Sequence, residues 1–183
     1  MRRSRAPSLP NRGGITLTDY DLKSAQTCDI LAKSVYEKLL KKGMKIATAE
    51  SCTGGMLASA LTDIAGVSEC YGFGFVTYAN EAKEKLLGVG STTLDKYGAV
   101  SEQTASEMAQ GALNAANADI ALSVTGIAGP DGGTDEKPVG LVYIGFATKE
   151  NTTAYKNVFS GDRRTVRIQT VNTALEIADR YLD

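Results

Sequence analysis

The chain has 183 residues, is 43% hydrophobic and 22% charged, and carries a formal net charge of −1 with a pI near 5.6. That is enough chain to bury one core without disulfides or metal, and it lacks the basic excess of an electrostatic nucleic-acid binder. It contains no histidine, which removes Ser-His-Asp triads, Cys-His pairs and HExxH zinc sites.

In chain order, the first fourteen residues, MRRSRAPSLPNRGG, carry four arginines, two prolines and no acid. Residues 1–18 are expected to form a disordered basic tail, and 19–183 the folded domain. Cys28, Leu31, Ala32, Val35 and Leu39 recur at helical spacing before Gly43, so residues 20–42 are predicted to be a helix. Met44–Ala49 reads as a short strand. Met56, Leu57, Ala60, Leu61 and Ile64 mark a second helix that stops at Gly66. Tyr71, Phe73 and Phe75 alternate as a strand that continues through Val76 and Tyr78. Residues 81–87 are a short helix with Asn80 as its cap. Ser101–Ala116 is a helix burying Ala105, Met108, Ala109, Ala112 and Leu113. Ile120–Val124 is a continuous apolar run of the kind buried on both faces. A Gly-rich loop over 126–138 follows. Gly140–Thr148 and Thr152–Phe159 then form a hairpin about Glu150–Asn151, and Val171, Ala174, Leu175, Ala178 and Leu182 mark a closing helix. This order predicts an α/β protein: a single three-layer α/β/α domain with a mixed sheet.

No apolar run reaches membrane-spanning length, and the N-terminus lacks the apolar core of a signal peptide. Three cysteines without a CxxC pattern suit free thiols in a reducing cytoplasm. No metal or cofactor is expected, and neither nucleic acid nor membrane as a partner. With histidine absent, a general base must be Lys, Asp, Glu, Tyr or an amine.

Four segments carry the chemistry. Thr48–Gly55 (TAESCTGG) joins a strand end to a helix start, where an open α/β sheet binds its ligand. Its glycines let the backbone approach a ligand, and free N–H groups favour an anion or a developing oxyanion. Ser51 and Thr53 bring hydroxyls to the same place, although either would serve equally as a plain helix cap. The spacing is not that of a P-loop. Thr77–Lys83 (TYANEAK) repeats the strand-to-helix junction, with Lys83 in the first helical turn, where the dipole tends to lower its pKa. Without histidine, a Ser–Lys pair is the natural way to activate a hydroxyl, with Tyr78 available as a relay; a solvated surface lysine is the plain alternative. Ser123–Thr134 holds Gly126, Gly129, Gly132 and Gly133, and can wrap a phosphate or ribose or simply turn. Ser160–Arg167 crowds Arg163, Arg164 and Arg167 at a helix start, a place that suits a bound anion or pairing to Asp162. Cys52 is read as packing.

Five strings taken together, AESCTGG (Ala49–Gly55), GFVTY-x-NEAK (Gly74–Lys83), GAVSE (Gly98–Glu102), GIAGPDGG…KPVG (Gly126–Gly140) and FSGDR-x-x-VR (Phe159–Arg167), resemble the CinA C-terminal domain family. The match runs from about residue 24 to 182. Family members often carry a polar or basic residue just before the GFVTY string, where this chain has Phe73. The resemblance implies a metal-free amidohydrolase of the nicotinamide-nucleotide amidase (PncC) type, converting nicotinamide mononucleotide (NMN) to nicotinate mononucleotide and ammonia. On this reading Ser51 is the nucleophile, Lys83 its base, directly or through Tyr78, and Thr53, Gly54 and Gly55 the oxyanion and anion site. The substrate-binding set is Asn80, Thr125, Gly126, Ala128, Gly129, Asp131, Gly132, Gly133 and Arg163. A homo-oligomer such as a dimer is expected. Two alternatives stay open: a catalytically silent nucleotide-binding or adaptor protein of the competence- or damage-inducible type, and an amidase for another small amide.

Overall fold

The computed structural model describes residues 19–183; the expected basic tail, 1–18, lies outside the described residues. The elements in chain order are α1 (Asp19–Lys42), β1 (Ile46–Glu50), α2 (Met56–Thr62), β2 (Tyr71–Val76), α3 (Asn80–Leu87), α4 (Ser91–Tyr97), α5 (Glu102–Ala116), β3 (Ile120–Gly126), β4 (Leu141–Thr148), β5 (Thr152–Val158) and α6 (Arg163–Tyr181). The sheet order is β2-β1-β3-β4-β5. β1 runs parallel to both β2 and β3, whereas β3–β4 and β4–β5 are antiparallel. Among the described residues, no helix is long and apolar enough to cross a membrane.

Side-chain size decides which helices lie on which face. Along β3, Ile120, Leu122 and Val124 point to one side, where they join Leu39 of α1, Leu57 and Leu61 of α2, and Val171 and Leu175 of α6 in one core. The opposite face is built from small residues. Ala47, Ala49, Ala121 and Ala147 pack there against Met108, Ala109 and Ala112 of α5. This lets α5 lie so close that a Cβ on Gly145 would overlap the Ala105 carbonyl. Two cores on the two faces of one mixed sheet make the three-layer α/β/α fold implied by the alternating elements.

Local details differ from the sequence reading in four places. Asn80 is not a cap: α3 begins at it, and the N-cap is Ala79, with no side-chain bond. Helix α4 was not expected; it is seven residues long and buries only Leu94, too little for a periodic signal. The strand β2 ends at Val76, before Tyr78. Its alternation is also broken at Gly72, because Ile46 pairs with Tyr71 but Ala47 pairs with Phe73. Tyr71 therefore packs on the α1–α6 core, whereas Phe75 packs on the α5 core.

Candidate active site

The parallel strands β1, β2 and β3 all end on one side of the sheet, so the turns that follow them converge. The ladder pins two of these turns. Ser51 N–H donates to the Val124 carbonyl at 2.9 Å, and Thr77 N–H to the Glu50 carbonyl at 2.8 Å. Beyond Ser51 the chain reverses through Gly54 and Gly55, which have φ of +58° and +97°, a region that strains residues with a side chain. Helix α2 starts there with no side-chain bond from its N-cap residue. Its orphan amides are taken by the carboxylate of Glu50, which is fully buried. Glu50 Oε2 accepts from Gly55 and Leu57 N–H at 3.0 Å each, and Oε1 accepts from Ala58 N–H at 2.8 Å.

Lys83 lies in the first turn of α3 and is 1% exposed. Its Nζ sits 3.2 Å from Ser51 Oγ, 2.8 Å from the Thr77 carbonyl and 3.3 Å from the Tyr78 carbonyl. No ion pair satisfies it among the described residues. Burial therefore lowers its pKa from the ordinary lysine value, with only nearby Cys52 acting the other way. Nζ donates to both carbonyls and to the serine hydroxyl; a neutral amine keeps two N–H bonds for the carbonyls and can turn its lone pair to Ser51 Oγ, which lies within general-base reach. Cys52 is also buried, and burial pushes its thiol up to about 11. Of the two neighbours, it is the Ser51 hydroxyl that lies in hydrogen-bond contact with the Lys83 amine.

The structure separates the other expected site residues into those at this crevice and those held elsewhere. Tyr78 is 64% exposed; its phenol accepts from Arg163 Nη2 at 3.3 Å, and its contact with Lys83 is made by its carbonyl. Arg163 Nη1 donates to the Gly129 carbonyl at 2.8 Å, which ties the Gly-rich loop to the start of α6. Thr125 is buried, and its hydroxyl donates to the Ala99 carbonyl at 2.6 Å, anchoring the segment before α5. Gly126 and Gly133 are required by the loop's own packing, against Val142 and Leu141 in one case and Val139 in the other. Gly129 and Ala128 are buried in the same loop, while Asp131 and Gly132 stand exposed at its tip. Asn80 is exposed at the start of α3. The expected oxyanion set is narrowed in the same way. The amides of Gly54 and Gly55 already donate, to the Ser51 carbonyl and to Glu50, whereas Cys52 and Thr53 N–H find no acceptor among the described residues.

Two residues outside the expected catalytic and substrate-binding sets stand out. Glu50 is one. The other is Arg167, one helical turn after Arg163 on the same face of α6, a spacing already visible in FSGDRRTVR. Its Nη2 donates to the Thr53 carbonyl at 2.6 Å, and its Nε is buried with no partner among the described residues. Arg163, Arg164 and Arg167 line a cleft of about 680 Å³ with Ala128, Pro130 and Val139. Among the described residues, no group of three or more Cys, Asp or Glu side chains is placed to hold a metal ion.

The model of the CinA C-terminal domain matches residues 29–182. A nicotinamide-nucleotide amidohydrolase PncC from Enterobacter agglomerans is 54% identical over 151 residues, covering 82% of this chain and 92% of that protein. A relative from Thermoanaerobacter sp. (strain X514) is 55% identical over 151 residues, 82% of this chain but 37% of its own length. The chain thus spans little more than a third of the first curated relatives it matches. Among solved structures, the competence/damage inducible protein CihA from Agrobacterium tumefaciens is 47% identical, with a TM-score of 0.81 over 82% of this chain and 93% of that one.

Proposed function

The chain belongs to the CinA C-terminal domain family, and from that premise we propose that it is an amidohydrolase releasing ammonia from the carboxamide of nicotinamide mononucleotide. The observation that carries the proposal is the buried Lys83 amine, 3.2 Å from Ser51 Oγ and paired with no carboxylate among the described residues. A surface lysine serving solubility has no reason to give up its hydration. The nucleotide part of the proposal is supported by the PncC relative and by the arginine-lined cleft.

The reaction divides into two transfers. Ser51 Oγ attacks the carboxamide carbon while its proton passes to Lys83 Nζ. The carbonyl π pair moves to oxygen, and the oxyanion is met by the Cys52 and Thr53 N–H groups. Collapse restores the carbonyl and breaks the C–N bond, and Lys83 gives its proton to the departing nitrogen, which leaves as ammonia. Water then attacks the nicotinoyl ester, giving a proton to Lys83. The ester C–O bond breaks and Ser51 regains the proton, freeing nicotinate mononucleotide. The Gly-rich loop and Arg163 anchor ribose and phosphate, with Asn80 and the Tyr78 ring at the mouth. Assembly as a homo-oligomer and a cytoplasmic setting belong to the same proposal.

A panel of nicotinamide, NMN and glutamine tests the substrate class. The proposal expects ammonia from NMN well above the other two, because only NMN carries a phosphate for the arginine cleft. Preference for a different amide would keep the Ser–Lys chemistry and replace the substrate. Binding of NMN without turnover would instead favour a silent nucleotide-binding protein.

A further inference from the structure

Glu50 is the last residue of β1 and has no solvent exposure, yet every bond its carboxylate makes is to a backbone amide. An ordinary cap satisfies a helix from its own N-terminal residue. Here the acceptor comes from the strand that precedes the turn, so strand, turn and helix are locked by one side chain. Seven amides, those of residues 52–58, follow Ser51 in this stretch. Glu50 takes those of Gly55, Leu57 and Ala58, the Ser51 carbonyl takes Gly54, and the Thr53 carbonyl takes Met56 at 3.3 Å. Cys52 follows directly on Ser51, and with Thr53 it alone in this stretch keeps a donor to spare.

The geometry points to Glu50 as the positioning residue of the oxyanion site: by claiming the amides of Gly55, Leu57 and Ala58, it reserves those of Cys52 and Thr53 for the reacting carbonyl. This rests on the nucleophile role proposed above for Ser51. A glutamine at position 50 has nearly the same shape but turns an NH₂ donor toward N–H donors, so the turn must rotate away. An aspartate keeps the charge but is one methylene short of α2. Both changes should therefore misplace the oxyanion donors, while Lys83, held by the Thr77 and Tyr78 carbonyls, keeps its place.

The test uses the ¹⁵N-labelled full chain, free and after reaction with a small alkyl fluorophosphonate. In that reaction the Oγ–P bond forms at Ser51, the P–F bond breaks, fluoride leaves and the hydroxyl proton passes to Lys83. In the free protein the Gly55, Leu57 and Ala58 amides should exchange slowly with deuterium, and Cys52 and Thr53 quickly. On labelling, Cys52 and Thr53 should shift and gain protection, while the other three stay as they were. In parallel, E50Q and E50D should be phosphonylated to one label per chain, with KM for NMN near wild type and kcat per labelled site down about 10²-fold. The rising limb of their pH profile, set by Lys83, should not move. Protection appearing at Gly55 on labelling would overturn the assignment, as would E50Q turning over at wild-type rate per labelled site. If the variants do not fold, the amide pattern of the wild-type chain decides alone. Absence of label on wild-type Ser51 would instead remove the nucleophile reading itself, and this inference with it.

Discussion

A lysine that is 1% exposed and shares its hydrogen bonds only with two carbonyls and a serine has little to hold its charge. Burial lowers its pKa from the ordinary value, and activity should rise with pH as the amine becomes neutral. kcat/KM on NMN should show a rising limb below the free-lysine range. Lys83→Arg should be nearly as inactive as Lys83→Ala, because guanidinium cannot accept the serine proton. Substantial activity in the Arg variant would reduce Lys83 to a charge. The same burial links to stability with a definite sign. The unfolded chain binds this proton more tightly than the folded one. Lys83's contribution is therefore least favourable at low pH and improves as pH rises from its folded pKa toward the ordinary lysine value. Denaturant midpoints against pH should show that rise in the wild type and lose it in Lys83→Met. Cys52, by contrast, stays a protonated thiol, pushed up to about 11 by burial. Cys52→Ser should keep activity within about tenfold, since the proposed mechanism uses its backbone amide and not its sulfur. Loss of all activity in a folded Cys52→Ser protein, by circular dichroism, would mean that the wrong neighbour was chosen as nucleophile.

Elements bring these side chains together, and their packing is tight where it matters. Helix α3 carries Lys83, and Gly111 of α5 lies so close beneath its C-terminal end that a Cβ would overlap the Leu87 carbonyl. Gly111→Ala improves helix propensity by about 1 kcal/mol. Overpacking against backbone costs about 1–3 kcal/mol, so the overlap should win. The variant should melt lower, and α3 must shift, lengthening the 3.2 Å contact of Lys83 with Ser51 and lowering kcat more than it raises KM. A Gly111→Ala protein as stable and active as wild type would show that α3 moves without consequence. Much at this scale was legible in the sequence: the apolar run of β3, the stripe of α5 and the strand-to-helix junctions at Ser51 and Lys83 follow from periodicity and turn chemistry. The one-residue bulge at Gly72 left no such trace, because it depends on register with β1. Nor did the destination of the Thr125 hydroxyl, since Ala99 arrives from a segment distant in sequence. Tyr78 could be placed near Lys83 by sequence, but whether by phenol or carbonyl was a matter of the turn's geometry.

The whole molecule is a sheet whose two faces are loaded differently, large aliphatics toward α1 and α6 and small residues toward α5. That asymmetry lets α5 sit close while leaving the strand ends free to gather three turns and the start of α6 around one crevice. The absence of histidine restricts the choice of base, and the fold buries a lysine amine against the Ser51 hydroxyl. The roles of Glu50 and Arg167 were less visible. A buried carboxylate bonded to amides and an arginine reaching across to the Thr53 carbonyl are properties of assembly, not of local pattern. The most direct measurement of the central claim is ammonia release from NMN by the purified chain, with Ser51→Ala alongside and both folded by circular dichroism. The account predicts ammonia and nicotinate mononucleotide in equal amounts from the wild type and none above background from Ser51→Ala. Ammonia from both proteins at the same rate, or from neither, would contradict it.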